Sequence, residues 1–131
     1  MKNKKQLLRF LKNKVVFLSA CKNNENDFKN TIELNKELIE KGFDYITLLG
    51  NYGYYEISFA VKFKNRKELD YLKDLAKKYS QESILVVINK KAKIILIDTN
   101  KVDLEFNKLR ILNKLPEQYF SVYENIIFKF E

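Results

Sequence analysis

Residues 45–63 read Tyr-Ile-Thr-Leu-Leu-Gly-Asn-Tyr-Gly-Tyr-Tyr-Glu-Ile-Ser-Phe-Ala-Val-Lys-Phe. From Glu56 onward the run alternates. Ile57, Phe59, Val61 and Phe63 fall on one face and Glu56, Ser58, Ala60 and Lys62 on the other, which is the period of a strand. Tyr45–Leu49 is a second apolar run. Between them, Gly50-Asn51-Tyr52-Gly53-Tyr54-Tyr55 holds two of the chain's three glycines and marks a turn. The stretch predicts an antiparallel hairpin with a Tyr-rich loop.

Working outward, Lys14-Val-Val-Phe-Leu-Ser-Ala-Cys21 is a continuous apolar run of strand length and predicts a central strand. Asn24, with an acid three residues on, reads as a helix N-cap. Phe28, Thr31, Ile32, Leu38 and Ile39 recur at helical spacing, and Gly42 ends that helix. After the hairpin, Asn65 and Glu68 form a capping pair before a face of Leu69, Leu72, Leu75, Ala76 and Tyr79. Ile84–Ile88 and Ala92–Ile97 flank Asn89-Lys90-Lys91 and predict a second hairpin, expected to be buried on both faces. Between Thr99 and Pro116 the pattern weakens, and Leu104, Phe106, Leu109, Ile111 and Leu112 read as a short helix or irregular segment. Tyr119–Phe130 reads as one closing strand. The predicted order is β-α-β-β-α-β-β-(α)-β. This is a single compact α+β domain over residues 15–131 with a mixed, mostly antiparallel sheet, preceded by a basic amphipathic arm over residues 1–14.

Composition removes several function classes. The 131 residues contain no His and one Cys, which excludes Ser-His-Asp triads, Cys-His pairs, zinc sites and an intrachain disulfide. The expectation is therefore no metal, no cofactor and a reducing cytoplasm. No apolar run approaches the 18 residues of a membrane span. Leu18-Ser19-Ala20-Cys21 resembles a lipobox, but the apolar stretch before it is too short for a signal peptide. Lys (22), Asn (14) and Ile (12) dominate, as AT-rich codon usage would give, and point to an AT-rich bacterium or its phage.

The net charge of +8 is concentrated. Residues 1–14 carry Lys2, Lys4, Lys5, Arg9, Lys12 and Lys14 without an acid, whereas the remaining residues are nearly neutral. Such an arm can contact phosphates, or it can be a solvated face of a helix whose Leu7, Leu8, Phe10 and Leu11 dock on the core.

Two groups of residues break the apolar pattern. Asn35 points along the middle of the face formed by Phe28, Thr31, Ile32, Leu38 and Ile39. An amide buried there needs partners, and Ser19, Glu56, Ser58 and the Gln81–Ser83 segment are the candidates. They either lock helix to sheet or line a polar cleft. Tyr52 and Tyr54 in the glycine-bearing loop either cover the core edge or stack on bases. Carboxylates are plentiful, but only Glu56 beside Ser58 suggests acid–base work, and only if a pocket raised its pKa.

Ser19-Ala20 on a strand, Asn35 in the first helix, Gly50-x-Tyr52, Glu56-x-Ser58-Phe59-x-Val61 and Gln81-Glu82-Ser83 recur in this order over about residues 15–97. The chain resembles a family of small, functionally uncharacterised domains from bacteria and their phages. A departure is Ser80, where that family tends to have Gly. The resemblance implies one compact domain and raises the expectation of a phage protein acting by binding, in counter-defence or host takeover.

The resulting expectation is a cytoplasmic, non-enzymatic binding protein for an anionic ligand, a nucleotide or nucleic acid. The ligand would be held by Ser19, Asn35, Tyr52, Tyr54, Glu56, Ser58 and Gln81, with the basic arm on phosphates. The alternatives are an inhibitor of a host protein and a small enzyme using Glu56.

Overall fold

A computed structural model describes residues 2–131. The elements are α1 (Lys2–Leu11), β1 (Lys14–Ser19), α2 (Asp27–Glu40), β2 (Tyr45–Asn51), β3 (Tyr55–Lys62), α3 (Arg66–Lys78), β4 (Ser83–Ile88), β5 (Lys91–Leu96), β6 (Val102–Phe106), β7 (Leu109–Leu112), β8 (Phe120–Tyr123) and β9 (Ile126–Phe130). The fold is α+β. The strands form one sheet in the order β6-β5-β4-β1-β3-β2-β8-β9-β7, and every pairing in it is antiparallel.

Local chemistry sets the boundaries. Asn65 caps α3, its side chain accepting from the Glu68 amide at 2.9 Å, as the spacing predicted. Gly42 follows α2 at φ +74, a conformation that costs a residue without Cβ little. The β4–β5 turn places both Asn89 (φ 51) and Lys90 (φ 67) in the left-handed region, the geometry of a two-residue hairpin turn.

Three sequence expectations are corrected. The weak segment from Val102 to Leu112 is two strands, not a helix: Leu104 and Phe106, then Leu109 and Ile111, keep the two-residue period on either side of Asn107-Lys108. The closing segment is a hairpin, β8 and β9, turning at Glu124, whose φ of 56 breaks the run. The second hairpin is not covered on both faces. In β5 the lysines Lys91 and Lys93 are exposed, because the covering helix α3 packs over β1 and β4 and does not reach them.

The connection between β6 and β7 shapes the molecule. These strands lie at opposite edges of the sheet, yet only Asn107 and Lys108 separate them. Flat, nine strands would set the edges about 38 Å apart. The three Cα steps from Phe106 to Leu109 reach only about 11 Å. The sheet must therefore curl until its edges approach. The interior bears this out. Phe17 on β1 meets Phe128 and Phe130 on β9 edge-to-face at 6.3 and 5.8 Å between ring centres, although three strands separate β1 from β9.

The curled sheet has two apolar faces. The outer face, with Val16, Leu18, Phe59, Val61 and Ile84, is covered by Leu34 and Leu38 of α2 and by Leu72, Leu75 and Ala76 of α3. The inner face holds Val15, Phe17, Leu48, Ala60, Val87, Ala92, Phe128 and Phe130. Leu7, Phe10 and Leu11 of α1 join this inner cluster, so the helix plugs one end of the curl. Lys4, Lys5, Arg9, Lys12 and Lys14 stay exposed, and the side chain of Lys2 lies outside what is described. Among the described residues, no helix is long and apolar enough to cross a membrane.

Candidate active site

The end of the curl opposite α1 is open. The register explains why polar residues gather there. Phe17 pairs with Ala60 and Leu85, and Ser19 pairs with Ser58, so the inner row runs from apolar residues at the α1 end to Ser19, Ser58, Glu56 and Ser83 at the other. A cleft of about 570 Å³ occupies this end. Its polar wall is Ser19, Glu56, Ser58, Gln81 and Ser83, with Lys129, whose ammonium lies 4.0 Å from the Glu131 carboxylate, also on the lining and Tyr52 and Tyr119 at the mouth. Phe17, Leu85, Ile94, Leu104, Phe106 and Phe130 form the apolar wall.

Five of the seven residues expected to bind ligand thus line one cleft: Ser19, Tyr52, Glu56, Ser58 and Gln81. Their bonding differs. Ser19 is fully engaged, its hydroxyl donating to the Ile57 carbonyl at 2.9 Å and accepting from the Cys21 amide at 3.0 Å. Gln81 Nε2 donates to the Cys21 carbonyl at 2.9 Å, which fixes the amide and leaves its oxygen unused. Tyr54 lies beside the cleft, not on its wall, and donates to the same carbonyl at 3.2 Å. Ser58 is only 6% exposed as a residue, but its hydroxyl, which bonds to no other described residue, is not sealed from the cleft.

Glu56 is the unusual group. It is half-buried and carries no salt bridge among the described residues, in a chain with 25 Lys and Arg. Burial pushes its carboxyl up to about 7; the Tyr54 hydroxyl opposes the shift and the nearby Asp27 carboxylate adds to it. Its neighbour across the pair is Gly50, and the space a side chain would take there is filled by the Tyr52 ring. Burial likewise pushes the Tyr54 phenol up to about 12, with the negative charge of Glu56 next in effect.

Asn35 stands apart from the cleft. It is half-buried and accepts a hydrogen bond from the Tyr45 hydroxyl on β2, not from the Ser19, Glu56–Ser58 or Gln81–Ser83 segments. The predicted helical phase was wrong by roughly a quarter turn. α2 carries two apolar arcs, and the sheet takes the one with Leu34 and Leu38. Phe28, Ile32 and Ile39 are left 79%, 53% and 60% exposed. Replacing Asn35 by Leu is therefore expected to cost only about 0.5–1.5 kcal/mol. In urea titrations the loss should vanish in a Tyr45→Phe background; a loss that persists there would show that the amide has another partner.

Sequence reasoning missed the apolar wall. Leu104 and Phe106 belong to a strand it did not recognise. Tyr119, in the left-handed region at φ 64, lies next to the β8 start, and its amide donates to the Asn51 carbonyl.

An apolar-walled cleft of this volume holding a carboxylate outside any salt bridge has the geometry of a small-molecule site. The model of the S-adenosylmethionine lyase family matches residues 16–123, and the chain belongs to that family. No curated protein matches the chain. The match runs from β1 through β8 and includes Ser19, Glu56, Ser58, Gln81 and Ser83, while Lys129 and Phe130 of the cleft lie beyond it.

This membership overturns two expectations. The chain belongs to a family named for an enzymatic activity, so the reading as a non-enzymatic binding protein, or as a counter-defence inhibitor, is set aside. The expected anionic ligand, nucleotide or nucleic acid, is set aside with it. The Glu56 carboxylate, outside any salt bridge, works against an anion beside it, while Lys129 on the same lining is engaged by Glu131.

Proposed function

We propose that the cleft cleaves S-adenosylmethionine at a carbon–sulfur bond, with Glu56 holding the positive charge of the substrate. The observation that supports this reading is the unpaired, half-buried Glu56 in a cleft whose other wall is apolar. The substrate is a sulfonium with an ammonium group, and it supplies a counter-charge for Glu56, since Lys129, the cation on the cleft lining, is paired with Glu131.

Elementary chemistry selects the step. When the bond between sulfur and the aminobutyrate Cγ breaks, its electron pair goes to sulfur, and a neutral thioether, 5′-methylthioadenosine, leaves. A lyase uses no water, so Cγ must gain its new bond from within the substrate. The β-hydrogens are not activated by a carbonyl. The substrate's own carboxylate oxygen reaches Cγ by closing a five-membered ring, releasing homoserine lactone, and no proton has to move. Intramolecular attack of this kind carries a large effective concentration. It also neutralises a carboxylate and a sulfonium together, which a water-poor site favours. Phe17, Leu85, Ile94, Leu104 and Phe106 supply that environment. Glu56 then acts by holding the cation, and Ser58 and the Gln81 amide oxygen offer hydrogen bonds to the aminobutyrate end.

The test is incubation of the purified protein with S-adenosylmethionine in ¹⁸O-water, followed by mass spectrometry. Methylthioadenosine and an unlabelled lactone are expected. Homoserine labelled at its hydroxyl would mean hydrolysis, and absence of turnover would remove the reading.

A further inference from the structure

The polar wall leaves Tyr52 and Tyr119 without a role. We infer that these two rings form a platform for the adenine base, setting the specificity of the cleft for an adenosyl substrate. The inference rests on the proposed substrate, because adenine is that molecule's only planar aromatic part.

Tyr52 is held in place before any ligand arrives. One edge of its ring lies on Gly50, so close that a Cβ there would sit 2.9 Å from Cε2. The far end is tied down, since the hydroxyls of Tyr52 and Ser121 share a hydrogen bond of 2.8 Å and Ser121 is only 1% exposed. Burial of that hydroxyl pushes its pKa up. The rest of the ring is open, leaving the residue 44% exposed.

Tyr119 is anchored through its backbone to Asn51, the residue before Tyr52, and is 58% exposed at the same mouth. Neither ring pairs with another aromatic ring among the described residues. The Tyr52 ring is fixed and uncovered, so it is pre-organised for stacking and loses little side-chain freedom on binding; Tyr119, held through its backbone, supplies a second exposed ring at the same cleft. Ser121 is the positioning residue for the first of them. The cationic end of the substrate is already taken by Glu56, deeper in the cleft, which leaves the mouth to the base.

Two probes separate the ends of the substrate. 5′-Methylthioadenosine has the base and no charge; S-methylmethionine has the sulfonium and amino acid and no base. Their binding would be measured by calorimetry on the wild type and on Tyr119→Ala, Tyr52→Leu and Ser121→Ala, each checked for folding by circular dichroism. Ser121→Ala keeps both rings and serves if Tyr52→Leu fails to fold. The expected result is methylthioadenosine binding weakened about tenfold in Tyr119→Ala and by a similar factor in whichever of the other two folds. S-methylmethionine should stay within twofold. Because the chain has no Trp, tyrosine emission reports directly, and methylthioadenosine should quench it less in the variants.

Equal weakening of both probes, or no weakening of methylthioadenosine, would overturn the platform. A wild type that turns over S-adenosylmethionine while the variants bind methylthioadenosine normally removes the platform alone. A wild type that binds methylthioadenosine through these rings but catalyses nothing keeps the platform and removes the lyase reading. Failure of the wild type to bind either probe removes both.

Discussion

Glu56→Gln is expected to make the protein more stable and far less active. The carboxyl has a folded pKa of about 7 against an ordinary value of 4.5, chiefly because burial penalises its charged form, with Tyr54 opposing and Asp27 adding. Between those two values the folded state holds a proton that the unfolded state has lost. Stability therefore falls as pH rises through this window. The contribution is fully present below about pH 4.5 and gone above about pH 7, a loss on the order of 2–3 kcal/mol. Gln never ionises. In urea titrations the variant should match the wild type at pH 4.5 and exceed it by that amount at pH 8. Activity should move the other way. Losing the charge that holds the substrate cation is expected to lower kcat/KM about 100-fold. The wild-type profile should rise with pH to a plateau just above 7, and the variant should show no such step. A variant with wild-type activity, or one that retains the step, would remove Glu56 from the site.

Leu11→Ala is expected to cost about 2–5 kcal/mol, the range for emptying a fully buried leucine position. Leu11 is 0% exposed and packs with Leu7, Phe10, Val15 and Val87 at the closed end of the curl. The charges of the same segment should behave differently. Lys4, Lys5, Arg9 and Lys12 point to solvent, and exchanging Lys5 for Ser should move stability by less than about 0.5 kcal/mol. Thermal or urea melts of the two variants test the contrast. If Leu11→Ala melted like the wild type, α1 would not be part of the core. The phosphate-contacting role proposed for Lys2, Lys4, Lys5, Arg9, Lys12 and Lys14 would show separately, as phosphate binding that is lost when these charges are removed. The neutral Leu11→Ala change would leave it in place.

The elements legible in the sequence are those whose apolar period is long and closed by its own chemistry. α3 is one, between the Asn65 cap and a face of Leu72, Leu75 and Ala76. The β2–β3 hairpin is another, where Ile57, Phe59 and Val61 alternate with Glu56, Ser58 and Ala60. Failures came where one segment supports two answers. α2 has two apolar arcs, and nothing local says which will meet a sheet made from strands 20 residues before and after it. The segment 102–112 has short alternating runs that a helix also tolerates, and only pairing with β5 and β9 decides them.

The site divides along the same line. Strand alternation alone puts Glu56 and Ser58 on the same face of β3, because a strand's side chains alternate whatever surrounds it. The sequence also determined, through the absence of His and the single Cys, which chemistries are closed to this chain. That this face is the inner one, that Ser19, Glu56, Ser58 and Gln81 meet in one cleft, and that Asn35 does not join them follow from the curl of the sheet. Curling brings β6 and β9 across the sheet to wall the cleft, and it follows from a two-residue link between edge strands whose identity as strands is itself a tertiary outcome. The charge on Glu56 belongs to the same category. The residue type supplies a carboxyl, but burial without a cation sets its pKa, and burial exists only once the strands have closed around it.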